Sequence, residues 1–166
     1  MSTVRAFGIL AIVAIVVGLY LGLTKFLGIH EYWAGFLFLL QWSMMEQTKL
    51  QAIPRSALGA ATGIAIACVG IWLAPIVGAP NAAIAQILAS AVAVFLLIRQ
   101  LVGLFVNAAT MLFLTVMTIP QVAAGTTPFG CYIGLSAGVV FFGGLALAAA
   151  GVSRLKSAGK ASRAVA

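Results

Sequence analysis

Chemistry in this chain has to come from a few uncharged polar side chains set in apolar surroundings. Gln41, Thr62, Asn107 and Thr110 are the leading candidates. Counted along a helix at ~1.5 Å per residue, Gln41, Thr62 and Asn107 fall at one depth, roughly 6–10 Å from the same end of their apolar runs. Ser43 and Thr110 flank this layer, and Thr115 and Thr118 extend it along the run that holds Asn107. Amides and hydroxyls inside a membrane face the bundle interior, because turning them to lipid is costly. Two readings stand side by side. The layer is a polar seam along which a small neutral or weakly polar solute exchanges water for side-chain hydrogen bonds. Alternatively it is interhelical glue, such as a Gln41–Asn107 hydrogen bond. Thr and Ser hydroxyls also bond back to their own helix carbonyls, which serves neither purpose.

Charged candidates are fewer. Glu46 and Arg99 fall at the same end as this layer and are candidates for a gate at its mouth. The plainer alternative is an exposed ion pair of Glu46 with Lys49 or Arg55, worth little in stability. At the other end His30 and Glu31 stand beside Tyr32 and Trp33, which read as interface anchors. His30 and Glu31 have the makings of a pH-sensitive latch, but two such ligands do not make a metal site. No metal and no cofactor are expected. The chain has no Asp, and its single His has no nucleophile elbow near it. No H-E-x-x-H, phosphate loop or dinucleotide fingerprint occurs, and no His lies inside an apolar run to hold a haem. An enzyme is not expected. Cys68 and Cys131 lie in apolar stretches without a C-x-x-C and read as packing residues.

The elements that must position these residues follow from composition. Of 166 residues, 64% are hydrophobic and 7% charged, and mean hydropathy is +1.21. Eleven charged side chains cannot cover the surface of a water-soluble domain of this size, in which about a quarter of residues are charged. The expected fold is all-α, a polytopic membrane protein with a bundle of six transmembrane helices. Runs near the ~20 residues a crossing needs span 6–23, 29–45, 56–77, 81–98, 101–119 and 129–152. The second is the shortest of them. Together, 1–152 form one transmembrane domain, followed by a basic tail at 153–166 expected to be solvated and mobile. The connections at 74–81 and 120–128 are rich in Pro and Gly and read as turns.

Charge orients the spans. The net charge is +7, from nine Lys and Arg against Glu31 and Glu46. With the N-terminus in the cytoplasm, Arg5, Lys49, Arg55, Arg99, Arg154, Lys156, Lys160 and Arg163 face inward and only Lys25 faces outward. That is a positive-inside pattern, so the basic balance points to a bilayer and not to nucleic acid. It predicts both termini in the cytoplasm. The first span reads as an uncleaved signal anchor, because 24–32 has no small-x-small cleavage site.

Helices in lipid associate by close packing of small residues. Three glycine pairs have the four-residue spacing this requires: Gly18 and Gly22, Gly59 and Gly63, Gly134 and Gly138. They predict packing inside the bundle, a homo-oligomer, or docking of a partner membrane protein. The stretch 58–64 resembles 133–139, and Gly35–Phe38 resembles Gly103–Val106, each followed by an amide, Gln41 or Asn107. Three-span halves run in opposite directions, so these likenesses imply an inverted 3+3 repeat, a plan that many transporters use.

Tyr32-Trp-Ala-Gly-Phe36 resembles the Trp-Ala-Gly-Phe segment of the YcdZ-like family of small bacterial inner-membrane proteins. The glycine-rich third span, the apolar fourth and the Leu-Phe-Val at Leu104–Val106 are similar in order. The sequence departs from that family after Val106, where Asn107-Ala-Ala-Thr110 stands in place of a Pro-Gly-Thr-Phe-like turn. The resemblance implies an inner-membrane location and no particular activity. The expectation that follows is a passive channel or facilitator for a small neutral or weakly polar solute. The alternative is a non-catalytic accessory or scaffold subunit of a larger membrane complex.

Overall fold

The computed structural model describes residues 3–119, 122 and 125–165, with side chains at 7–8, 10–119, 122 and 125–153. Among the described residues the fold is all-helical. The helices are α1 (Thr3–Phe26), α2 (Trp33–Met45), α3 (Ile53–Ala67), α4 (Val69–Val77), α5 (Ala79–Arg99), α6 (Ala108–Met117) and α7 (Pro128–Val165), with a 3-10 turn at Leu50–Ala52. Because α3 and α4 follow one another almost without interruption, they make six helical rods. Three of these are long and apolar enough to cross a membrane: Leu50–Val77, Ala79–Arg99 and Pro128–Ser153.

Two expected spans are shorter than their hydropathy implied. The second was expected over 29–45, but α2 starts only at Trp33 and has 13 residues, about 20 Å of helix. The fifth was expected over 101–119, but α6 has 10 residues. Residues 101–106 are as apolar as a helix interior, yet they form turns. The reason lies at their two ends. Gln100 takes a left-handed conformation (φ 53°) that closes α5, and Asn107 is extended (φ −147°) and caps α6. The third span breaks at Cys68. Gly70, just past the break, donates its N–H to Gln86 Oε1 of α5 at 2.9 Å. The turn expected at 74–81 shrinks to Gly78 (φ 82°), a conformation suited to Gly. Pro80 then sits in the first turn of α5, where its missing N–H costs nothing. Towards the C-terminus α7 continues to Val165 and takes in most of the basic stretch that begins at 153. The Ala, Lys, Arg and Ser of that stretch contain no proline to stop it.

The directions of the rods follow from their contacts. Glu31 lies at Gly130 and Gly134, and Gly35 lies at Gly138, so α2 runs parallel to α7. Gly59 lies at Asn107, and Gly63 at Thr110 and Phe113, so α3 runs parallel to α6. Tyr132 donates its O–H to Ala61 O at 3.2 Å, while Ile53 reaches Gly143; α3 and α7 are therefore antiparallel. Outside this central group α1 packs on α7, and α5 packs on α4 and α3. Tyr20, Phe38, Ile64 and Phe113 fill the core and are wholly buried. The outer faces of α1 and α5 expose Leu10, Ile12, Ile84, Ile87 and Phe95. Apolar exposure on this scale suits lipid and not water.

Candidate functional site

The polar side chains gather at the two ends of the central group. At the first end Asn107 precedes α6 and closes it. Its Oδ1 accepts the N–H of Ala109 at 2.9 Å, and Thr110 Oγ1 accepts the N–H of Asn107 at 3.0 Å. This reciprocal cap satisfies backbone donors that a helix start leaves free. The other half of the Asn107 amide crosses to α3, where Nδ2 donates to Arg55 O at 2.9 Å. Gly103 O and Leu104 O accept from it at 3.4 and 3.3 Å. Thr110 gives its own proton to Phe105 O at 2.8 Å. Both residues are buried and fully engaged with backbone. Gly59 makes room for this arrangement, since a Cβ there would overlap the Asn107 amide.

These contacts answer the expectation of a seam. The interhelical bond expected between Gln41 and Asn107 is not the one formed, because Asn107 binds the α3 backbone at Arg55 instead. Thr62 donates to Leu58 O at 2.8 Å. Thr115 donates to Met111 O, Thr118 to Thr115 O and Ser43 to Leu40 O. Each hydroxyl thus returns to its own helix, which satisfies it without a partner from another helix. Gln41 behaves differently. It is 4% exposed, and its Oε1 has no hydrogen-bond partner. Ser56 on α3, which the sequence reading passed over, is 1% exposed, and its Oγ is equally unpartnered. A buried polar group left unpaired costs about 1–3 kcal/mol. The signal for Ser56 was its spacing, because Ser56, Gly59 and Gly63 share one helix face and α6 packs on that face.

The rim at this end carries the charges. Glu46 ends α2 half-buried, and its carbonyl accepts the N–H of Lys49 at 3.0 Å. Trp42 Nε1 donates to Lys49 O at 2.9 Å and so holds the connection to α3. Arg99 lies exposed in the last turn of α5, which packs on α3, α4 and α6 and not extensively on α2. Arg55 turns its Nε to Gly103 O at 3.0 Å.

At the opposite end Glu31 precedes α2 and is 8% exposed. Its Oε1 accepts both the N–H and the hydroxyl of Thr127 at 3.1 Å. Thr127 in turn caps α7 by accepting the N–H of Gly130 at 3.1 Å. The carboxylate therefore sits against the positive end of the α7 dipole. A Cβ at Gly130 would overlap it, as one at Gly59 would overlap Asn107. The expected His30–Glu31 latch meets a carboxylate already engaged with Thr127, while His30 lies exposed beside Lys25 and Tyr32. The rest of the 120–128 turn lies partly outside the described residues.

Of the three glycine pairs, Gly59 and Gly63 seat α6, and Gly134 and Gly138 seat α2. Gly18 and Gly22 on α1 meet nothing within 4 Å. Cys131 directs its S–H at Met117 Sδ at 3.6 Å, and Cys68 is likewise wholly buried. Among the described residues no three His, Cys, Asp or Glu converge on a point where a metal could be held. One apolar cavity of about 360 Å³ opens between α1, α2 and α7, lined by Val16, Leu39, Trp42 and Phe142. Another of about 340 Å³ lies between α4, α5 and α6, lined by Gly70, Gln86 and Met117. No family model, no curated protein and no solved structure matches this chain.

Proposed function

We propose that the chain is a six-span protein of the bacterial inner membrane that passively conducts a small neutral solute. In this reading α1, α2 and α3–α4 form one half, and α5, α6 and α7 form a second half of opposite direction. The observation that carries it is the correspondence of the two short helices. Each is the middle element of its half. Each is preceded by a buried polar residue, Glu31 two positions before α2 and Asn107 at the cap of α6. Each such residue rests on a glycine of the last helix of the other half, Gly130 or Gly59. The antiparallel pair α2 and α6 pack on each other between the two halves. Short or interrupted helices at matching places of inverted halves are where membrane transport proteins build their solute sites. Chemistry limits the solute, because no Lys, Arg, Asp or His is buried among the described residues and Glu31 is already engaged by Thr127.

The positive-inside pattern places the Asn107 end, with Lys49, Arg55 and Arg99, in the cytoplasm. The uncovered Gly18 and Gly22 face of α1 favours self-association through that helix, or docking of a partner membrane protein by the same face. Stopped-flow light scattering on proteoliposomes tests conduction, using a panel of small neutral solutes. Entry of at least one solute faster than into protein-free vesicles is expected. Rates equal to those of protein-free vesicles across the whole panel would overturn the reading and leave the accessory-subunit alternative.

A further inference from the structure

The groove between α1, α2 and α7 has a volume of about 360 Å³. Its floor is Trp42 and Phe142, both buried, and its rims are Ile12 and Val13 of α1 and Leu145 and Ala149 of α7, all exposed. From Phe142 to Ala149 is about 10 Å of helix, roughly a third of the ~30 Å hydrocarbon core of a bilayer. Thr48, in the connection after α2, closes one end, so the groove lies within one leaflet. It has no donor to spare. Trp42 Nε1 donates to Lys49 O at 2.9 Å, and Thr48 Oγ1 donates to Gln47 O at 2.7 Å. A polar solute finds no free donor here, whereas a hydrocarbon chain needs only close contact. Gly18 and Gly22 lie on the other side of α1 by helical spacing, so a second copy docked on them leaves the groove open.

Charge at the closed end selects among such chains. The residue after Thr48 is Lys49, and it is exposed. The indole that floors the groove also fixes its place, through Lys49 O. The N–H of Thr48 adds a second tie, to Trp42 O at 3.1 Å. Gln47 and Thr48 are held left-handed (φ 52° and 57°), a conformation that a β-branched residue rarely takes. Arg5 on α1 and Arg154 on α7 each stand within about two turns of the groove, towards the same end. Glu46 is the one acidic residue at this end, and it does not line the groove. An apolar slot that ends among cations complements a molecule with a hydrocarbon tail and an anionic head. We propose that this groove seats an acyl chain of an anionic phospholipid, with the lipid phosphate at Lys49. Basic pockets beside membrane helices recognise anionic headgroups in this way. The inference rests on the membrane setting alone and stands whether or not the chain conducts a solute.

Trp42 can report on its own groove. With Trp33→Phe and Trp72→Phe it is the only tryptophan of the full chain, and bromine on an acyl chain quenches its fluorescence at short range. The protein is reconstituted in vesicles of equal parts phosphatidylcholine and phosphatidylglycerol, with bromine on one lipid or on the other. Stronger quenching by brominated phosphatidylglycerol is expected. Lys49→Gln should cut that preference about fivefold, the effect of one cation near a bilayer surface. Leu145→Phe and Ala149→Phe narrow the groove from exposed positions. Each should remove the preference without lowering the melting temperature, and either serves if the other fails to fold. Equal quenching by the two brominated lipids overturns the proposal, and so does a full preference retained in Lys49→Gln. A preference that both groove variants keep shows that the chain lies elsewhere. Absence of quenching by either lipid, as when another protein surface covers the groove, also overturns it.

Discussion

Asn107 Nδ2 donates to the carbonyl oxygen of Arg55 across 52 residues of sequence, at 2.9 Å. The same side chain caps α6 through Oδ1, so one amide both starts a helix and ties it to its neighbour. Glu31 has the equivalent place at the other end, where its carboxylate holds Thr127 and through it the start of α7. The start of each short helix is therefore tied to a neighbouring helix by the polar residue just before it.

Removing the amide tests that anchoring. Asn107→Leu loses the cap and the cross-link together and is expected to lower stability by about 2–3 kcal/mol. Asn107→Ser keeps a capping oxygen but cannot reach Arg55, and a loss of about 1 kcal/mol is expected. Denaturant or thermal unfolding in mild detergent measures both. Equal stability of Asn107→Leu and the wild type would show that the amide is not structural.

The glycines divide into two groups. A Cβ at Gly59 would overlap the Asn107 amide, and one at Gly138 would overlap the backbone of Gly35. Gly59→Ala and Gly138→Ala should each cost about 1–3 kcal/mol, because the facing backbone has to move. Gly18→Ala meets open space and should leave monomer stability within about 0.5 kcal/mol. The three melting temperatures, measured side by side, check the ordering. A Gly18→Ala loss as large as that of Gly138→Ala would contradict it.

Glu31 contributes through both its oxygen and its charge. Glu31→Gln still offers an oxygen to Thr127 but removes the charge facing the α7 dipole, a loss of about 0.3–1 kcal/mol. Glu31→Ala strands the Thr127 N–H and should cost about 1–3 kcal/mol. Unfolding free energies of the pair against wild type decide the matter, and a Gln variant as unstable as the Ala variant would assign the whole effect to charge.

Cys68 and Cys131 are both 0% exposed. A water-soluble maleimide should leave both unlabelled while the protein is folded in mild detergent, and both should react once SDS unfolds it. Mass spectrometry counts the adducts. Rapid labelling of either thiol in the folded protein would contradict the burial of the α3–α7 crossing.

The helical bundle was readable because hydropathy reports segment by segment, and burial in lipid asks little else of a helix. Gly59, Gly63, Gly134 and Gly138 were readable for a related reason, since their spacing puts both members of a pair on one face. Gly18 and Gly22 have the same spacing and face no neighbour, because periodicity defines a face without saying what lies against it. The shortness of α6 was not readable. Residues 101–106 are continuous with an apolar span, and the helix stops there through Gln100 in a left-handed turn and Asn107 reaching Arg55.

By itself, then, the sequence determined the class of fold, the approximate places of the rods and the pattern of basic residues along them. These are sums over local composition. Only the tertiary structure decided which polar groups are engaged and which are free. Asn107 and Gln41 look alike in the chain, yet the first is fully engaged with backbone and the second has an unpaired, buried oxygen. The difference comes from which carbonyl of another helix lies within about 3 Å of the amide, and that distance is set by packing between segments far apart in the chain.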